Sequence, residues 1–293
     1  MKRISMGWKR CSALYRAGQN PPRKWRGIVR AFFVLAALGV SLLGYALFIE
    51  PERLVVGELA LGEGERSLGV VLVADLHFGG RVVDAGKGRQ VVALINEQAP
   101  DLVLIPGDFV NGHEPKSGHS AAEIAVIENG VGTLAGLNAP TYASLGNHDT
   151  WYGKDDVARL LDVAGVTARN NEGLSAGGVC IVGMADHDTD VPTAEGYAAC
   201  EAGDVVLVMM HSPDSRGLLR SDTALAVAGH THGGQVNLPL LGRAVTSTSC
   251  GKLCAYGLIQ TTPPLVVTAG IGTSILPIRF RSPPEIVVIT LRY

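Results

Sequence analysis

The first thirty residues of this chain contain no aspartate or glutamate, while carrying nine lysines and arginines: Lys2, Arg3, Lys9, Arg10, Arg16, Arg23, Lys24, Arg26 and Arg30. Lys and Arg total 25 in the chain, so 16 remain beyond residue 30 to face all 27 acids, a formal charge of -11. A body this acidic excludes nucleic acid as the main partner, because binding a phosphate backbone needs a basic surface. Charged residues are scarce at 18% against 47% hydrophobic, which excludes a disordered chain and allows a sizeable core. No internal repeat or low-complexity tract is present. The five cysteines show no zinc-ribbon spacing. Cys11 lies in the basic tail, and Cys180 reads as a core residue. Cys250 and Cys254 could pair if the body is exported.

What the chain does have is one long apolar run, Ala31 to Ile49, stopped by Glu50-Pro51-Glu52. Its length suits a single bilayer-spanning helix. The positive-inside rule then keeps the N-terminus cytoplasmic and sends the body across. A cleaved signal peptide is one alternative, with a small-x-small site at Gly44-Tyr45-Ala46, and a buried soluble helix is another, against which the lopsided charge of the flanks speaks. The expected organisation is a basic tail over 1–30, a signal-anchor over 31–49, an exposed link over 50–66 and a catalytic domain over 67–293.

From Leu68 onward apolar strands alternate with amphipathic helices. Strands are expected at Leu68–Ala74, Leu102–Ile105 and Tyr142–Leu145. Helices are expected at Val82–Gln98, Ala121–Leu137 and Asp155–Val163. The second half reads as closely spaced strands: Val179–Met184, Val205–Met210, Leu225–Ala228, Leu265–Ala269 and Glu285–Leu291. Such an order suggests α/β architecture with two stacked sheets flanked by helices.

Five polar motifs follow these strands: Asp75-Leu76-His77, Gly107-Asp108, Gly146-Asn147-His148-Asp149, His211, and Gly229-His230-Thr231-His232. In α/β sheets ligands bind beyond the carboxyl ends of strands. Strand alternation puts i and i+2 on one side, so Asp75 with His77, and His230 with His232, can each converge. Each motif alone also reads as an ordinary turn; their recurrence at strand ends points to a shared site. The set supplies carboxylate, amide and imidazole ligands for two divalent metals, with one bridging carboxylate. Such a pair generates hydroxide at neutral pH and clamps a phosphate for in-line attack. His148 is placed as a general acid or transition-state donor, and Asp149 is expected to hold its imidazole. His113 and His119 read as solvated loop residues, and His187 as plain loop.

The ordered motif set resembles the calcineurin-like metallophosphoesterase superfamily from about residue 68 to the C-terminus. Gly229-His230-Thr231-His232-Gly233-Gly234-Gln235, and Leu276-Pro277-Ile278-Arg279-Phe280 followed by Pro284-Glu285-Ile286, resemble its bacterial membrane-associated YkuE/YaeI-like branch. The resemblance implies a four-layer α/β/β/α sandwich of two mixed sheets. It implies one metal on Asp75, His77, Asp108 and His232, a second on Asp108, Asn147, His211 and His230, and His148 as the catalytic histidine, beside which the motif reading sets Asp149 as a second catalytic residue. The donor set suits Mn, Fe or Zn. The implied activity is hydrolysis of a phosphodiester, pyrophosphate or phosphomonoester by metal-held hydroxide, in an enzyme anchored in the inner membrane. A lipid-linked substrate fits that anchoring. The alternatives are a UDP-2,3-diacylglucosamine pyrophosphatase of lipid A synthesis, whose nucleotide substrate lies on the cytoplasmic side, and a non-catalytic membrane-tethered module.

Overall fold

The expected apolar runs do form strands, and their period-two alternation sets what each face packs against. The computed structural model describes residues 23–243 and 245–293, so the basic tail up to residue 22 and Cys11 lie outside the described residues. The chain divides between Tyr45 and Ala46 into two units. The first holds most of helix α1 (Arg23–Phe48). This helix is long and apolar enough to cross a membrane, with Phe32, Phe33, Leu35, Leu38 and Val40 all exposed. A helix apolar on every side needs apolar surroundings.

The second unit is built on two six-stranded mixed sheets. In chain order the strands of the first are β1 (Val55–Gly62), β2 (Ser67–Leu72), β3 (Leu102–Pro106), β4 (Thr141–Ser144), β5 (Thr167–Ala168) and β14 (Glu285–Arg292). Their spatial order is β1-β14-β2-β3-β4-β5. The second sheet contains β6 (Glu172–Ala176), β7 (Val179–Gly183), β8 (Val205–Met210), β9 (Thr223–Ala228), β12 (Gly257–Ile259) and β13 (Leu265–Val267), ordered β12-β13-β9-β8-β7-β6. A short hairpin, β10 (Asn237–Leu238) with β11 (Gly242–Arg243), stands apart.

Val70, Leu72, Leu102 and Leu104 pack with Leu207, Met209, Leu225 and Val227, forming the core between the sheets. Their neighbours Val71, Val73, Val103 and Ile105 pack instead with Val91, Ile95, Ile127 and Val131. Those residues belong to helices α2 (Ala85–Glu97) and α3 (Ala121–Gly132). Strands covered on both faces read as continuous apolar runs, which is why they were legible. Asp84 caps α2 by accepting from Lys87 N, and Ser120 with Glu123 forms a capping box on α3. The third helix of this layer, α4 (Asn147–Val163), begins within the Gly-Asn-His-Asp motif rather than at Asp155, and Gly153 interrupts it with φ 144. Over the outer face of the second sheet lie 3-10 turns at Glu195–Ala199 and Pro213–Leu218, packing Tyr197, Leu218 and Leu219 on Val206 and Val208.

Two expectations need correction. The segment 50–66 is not an exposed link, and the domain does not begin at 67. Val55–Gly62 pairs in parallel with β14, from Val55 opposite Glu285 to Gly62 opposite Arg292. Its alternation is only half-buried against exposed, which made the strand faint in sequence. Glu50 is buried and accepts from Ser282 N, while Glu52 pairs with buried Lys87 at 3.0 Å. Cys180 is in the core as expected, and it is also disulfide-bonded to Cys200; Cys250 bonds Cys254.

Leu104 is fully buried between the sheets. Leu104→Ala should lower unfolding free energy by about 2–5 kcal/mol, measured by urea unfolding in detergent. A loss below about 1 kcal/mol would contradict its place in the inter-sheet core.

Candidate metal centre

The five motifs leave the carboxyl ends of β2, β3, β4, β8 and β9, so both sheets deliver side chains to one edge. Past its last strand residue, β2 stays paired with the β3 segment: Asp75 N donates to Gly107 O at 3.1 Å and His77 N to Asp108 O at 3.0 Å. The backbone turns left-handed at the side chains that matter. Asp75 (φ 52), His77 (φ 48), Asp108 (φ 56), His230 (φ 67) and His232 (φ 50) all have positive φ. Non-glycine residues there cost on the order of 1–3 kcal/mol each, and such strain clusters at functional sites.

The side chains form two groups that meet at one oxygen. On one side His77 Nε2 lies 3.5 Å from Asp108 Oδ2 and 3.1 Å from His232 Nε2. Asp75 joins His77 and His232, with ligand atoms all within 4.8 Å of one another. On the other side His211 Nε2 lies 3.3 Å from the same Asp108 Oδ2. Asn147 Oδ1, His211 Nε2 and His230 Nδ1 form a triangle with edges of 3.1, 3.1 and 3.2 Å. An amide oxygen carries no proton, and each neutral imidazole has only one. Two such converging lone-pair sets are satisfied together by a cation. Asp75 Oδ2 is buried without a hydrogen-bond partner, as expected of an oxygen aimed at an ion. The nitrogen and oxygen donors fit divalent transition metals.

Burial sets the electrostatics. It pushes the Asp75 carboxyl up to about 7 and the His77 imidazole down to about 3. Burial and then His77 hold His232 well below the usual histidine value. Burial opposes ionisation of Asp108, but His211, His77 and His148 outweigh it and hold this carboxyl well below its usual range. Neutral imidazoles are the form that ligates a metal, and a buried carboxylate gains most from a nearby cation.

Every residue assigned from the motifs comes together here, but Asp149 does something other than expected. It does not hold the His148 ring. Its carboxylate accepts from the backbone N–H groups of Gly146, Asp108, Phe109 and Val110 at 2.9–3.1 Å. As an early helical residue of α4, its side chain reaches back to the turn before the helix rather than sideways to His148. It thereby locks the Gly107 and Gly146 turns together. These turns have no room for a side chain: a Cβ on Gly146 would sit 2.2 Å from Asp108 Oδ1, and one on Gly107 2.7 Å from His211 Nδ1. At Gly107 φ is also +85, which favours glycine.

The His148 ring stands edge-on to His77, with centroids 4.6 Å apart. It packs against His113 at 4.5 Å and Trp151 at 5.0 Å. Its Nδ1 is buried and unpartnered, and burial lowers its pKa. His113 is an exposed loop residue, as expected, but its ring also meets His148, a contact that sequence spacing does not signal. Trp151 was legible in principle, three residues from His148 on α4. Asp188, beside the histidine read as plain loop, places Oδ2 3.3 Å from His230 Nε2. Nothing in its spacing signals that contact. A cavity of about 770 Å³ opens over the centre. Its lining joins Asp108, Asn147, His148, His230 and His232 to loop residues both apolar, such as Val236, Ile275 and Ile278, and polar, such as Asp214, Thr248 and Ser274.

Comparison with known proteins agrees with this geometry. The YkuE metallophosphoesterase of Bacillus subtilis (strain 168) is 29% identical over 266 residues, covering 85% of this chain and 89% of that one. The phosphodiesterase YaeI of Escherichia coli (strain K12) is 28% identical, covering 85% and 92%. A Danio rerio transmembrane protein with a metallophosphoesterase domain is 27% identical, covering 92% of this chain and 63% of that one. The model of the calcineurin-like phosphoesterase family matches residues 68–234, which include every candidate ligand from Asp75 to His232. The chain belongs to that family and is a metal-dependent phosphoesterase.

Proposed function

We propose that the protein is a membrane-anchored dimetal phosphoesterase favouring diesters, with its domain on the outer side of the inner membrane. The observation that carries this reading is the pair of ligand groups meeting at Asp108 Oδ2. Bound there, two divalent ions would polarise phosphoryl oxygens and make water nucleophilic near neutral pH.

The chain's own residues prepare that chemistry. His211 Nδ1 lies 2.8 Å from Pro106 O, which fixes this nitrogen as the donor and leaves Nε2 free to ligate. Asp188 Oδ2, 3.3 Å from His230 Nε2, favours a proton on that nitrogen and leaves Nδ1 for the centre. Asp149 holds the turns that carry Asp108 and Asn147. His148 borders the cavity, with a ring nitrogen within 4.8 Å of ligand atoms of His77 and Asp108, and we assign it to the substrate rather than to an ion. A ring kept neutral by burial donates N–H to a phosphoryl or leaving oxygen.

The diester preference follows the name given to the Escherichia coli relative. An outer location is supported by the basic residues before Ala31 and by the two disulfides, which persist in oxidising compartments. The same features count against the cytoplasmic lipid A precursor as substrate. A phosphate ester carried on a lipid remains in keeping with the anchor.

Asp108→Ala should reduce bound metal from two ions to less than one per chain by elemental analysis, because both groups lose their shared oxygen. Retention of both ions would end the bridging assignment. His148→Ala should lower kcat by roughly a hundred- to ten-thousand-fold while metal content holds. The loss should shrink for a leaving group of low pKa; parallel loss of metal would instead make His148 a ligand. Alkaline phosphatase fused after Tyr293 should be active in cells, and an inactive fusion would place the domain inside and restore the nucleotide-linked lipid.

A further inference from the structure

Loops that contribute to the cavity lining, or are hydrogen-bonded to those that do, carry large uncovered apolar side chains. The β10–β11 hairpin ends in Leu240, 107% exposed, and Leu241. The segment 247–256 carries Leu253 at 82%, and the segment 274–281 carries Ile275 at 87% beside exposed Leu276. Hydrogen bonds join these segments into one surface. Gln235 Nε2 donates to Leu276 O at 2.9 Å, Asn237 N to Phe280 O at 2.8 Å, and Lys252 Nζ to Leu241 O at 2.7 Å. Soluble monomers rarely leave so many large apolar side chains together in water.

The chain itself says what covers this surface. Arg279 N donates to Ala46 O at 3.0 Å, and Pro277 lines a small cleft with Leu47, Phe48 and Pro51. The segment 274–281 is therefore fastened to the last turn of α1. If α1 crosses a bilayer, that turn lies at the membrane surface, and so does whatever is bonded to it. Exposed Phe48 and Ile49 extend the same apolar surface, and exposed Lys252 and Arg281 on these segments suit lipid phosphates.

We propose that these loops dip into the interfacial layer of the bilayer holding α1, so that the cavity opens at the lipid surface and receives a phosphoester borne by an amphiphile. The proposal rests on the anchored phosphoesterase reading above. It adds a second contact with the bilayer, formed by the catalytic domain itself. It also gives the apolar members of the cavity lining, Val236, Ile275, Leu276 and Ile278, an occupant: the first carbons of the lipid carrying the phosphate.

The test uses the full chain with Cys11→Ser, in nanodiscs containing anionic phosphatidylglycerol. Spin labels on Leu240→Cys and Ile275→Cys should collide with oxygen more than with a water-soluble nickel chelate. A label on Val163→Cys, exposed at the far end of α4, should do the reverse. Water-like collisions at Leu240 and Ile275 would overturn the proposal, and shielding from both relaxants would replace the bilayer with a protein partner. A second arm combines Leu240→Glu, Leu241→Glu and Leu253→Glu, none of which lines the cavity. This variant should lose roughly tenfold or more against a nitrophenyl phosphatidyl ester in the disc. Its turnover of water-soluble bis(nitrophenyl) phosphate should change by less than about twofold. Equal loss on both esters, or on neither, would overturn the proposal. If the metal-loaded parent protein cleaves neither ester, the phosphoesterase reading fails, while the spin labels still decide the membrane contact.

Discussion

One buried carboxylate oxygen, Asp108 Oδ2, organises this molecule. Two sets of candidate ligands from two different sheets approach it, His77 from one and His211 from the other. Bringing them together means burying several ionisable groups and bending the backbone into left-handed conformations at Asp75, His77, Asp108, His230 and His232. The surrounding fold absorbs both costs. The inter-sheet core fixes the strand ends, Asp149 ties four amides of the two glycine turns, and Arg279, itself buried, clamps the carbonyls of Ala269, Gly270 and Gly272 behind Asp75 and His77. Strain of this kind persists only where the neighbourhood over-determines it.

The convergence of the candidate ligands was legible because each sits at the end of a buried strand, and the motif spacing alone predicts it for Asp75 with His77 and for His230 with His232. What failed was the reading of neighbours through adjacency in sequence. Asp149 follows His148, yet helix geometry turns its carboxylate back onto the preceding turn. His113 and Asp188 lie on loops with no periodic signal, and only tertiary packing delivers them to His148 and His230. The strand Val55–Gly62 was hidden for a different reason: as an edge strand it buries only alternate residues, and only by half.

Two kinds of segment line the cavity. The strand ends and turns supply buried polar side chains held by hydrogen bonds. The loops supply both apolar and polar lining and carry exposed apolar tips, and one of them is bonded to the last turn of α1. A water-soluble substrate would need only the first. The second fits the proposal that the reacting phosphate is carried on a lipid, beside a helix long and apolar enough to cross a membrane.

The most direct test of the central claim is a crystal of the manganese-loaded protein measured for anomalous scattering. The account predicts two peaks about 3.5–4 Å apart, with Asp108 between them. Asp75, His77 and His232 should surround one peak, and Asn147, His211 and His230 the other. A single peak under saturating manganese, or two peaks that do not share Asp108, would contradict it.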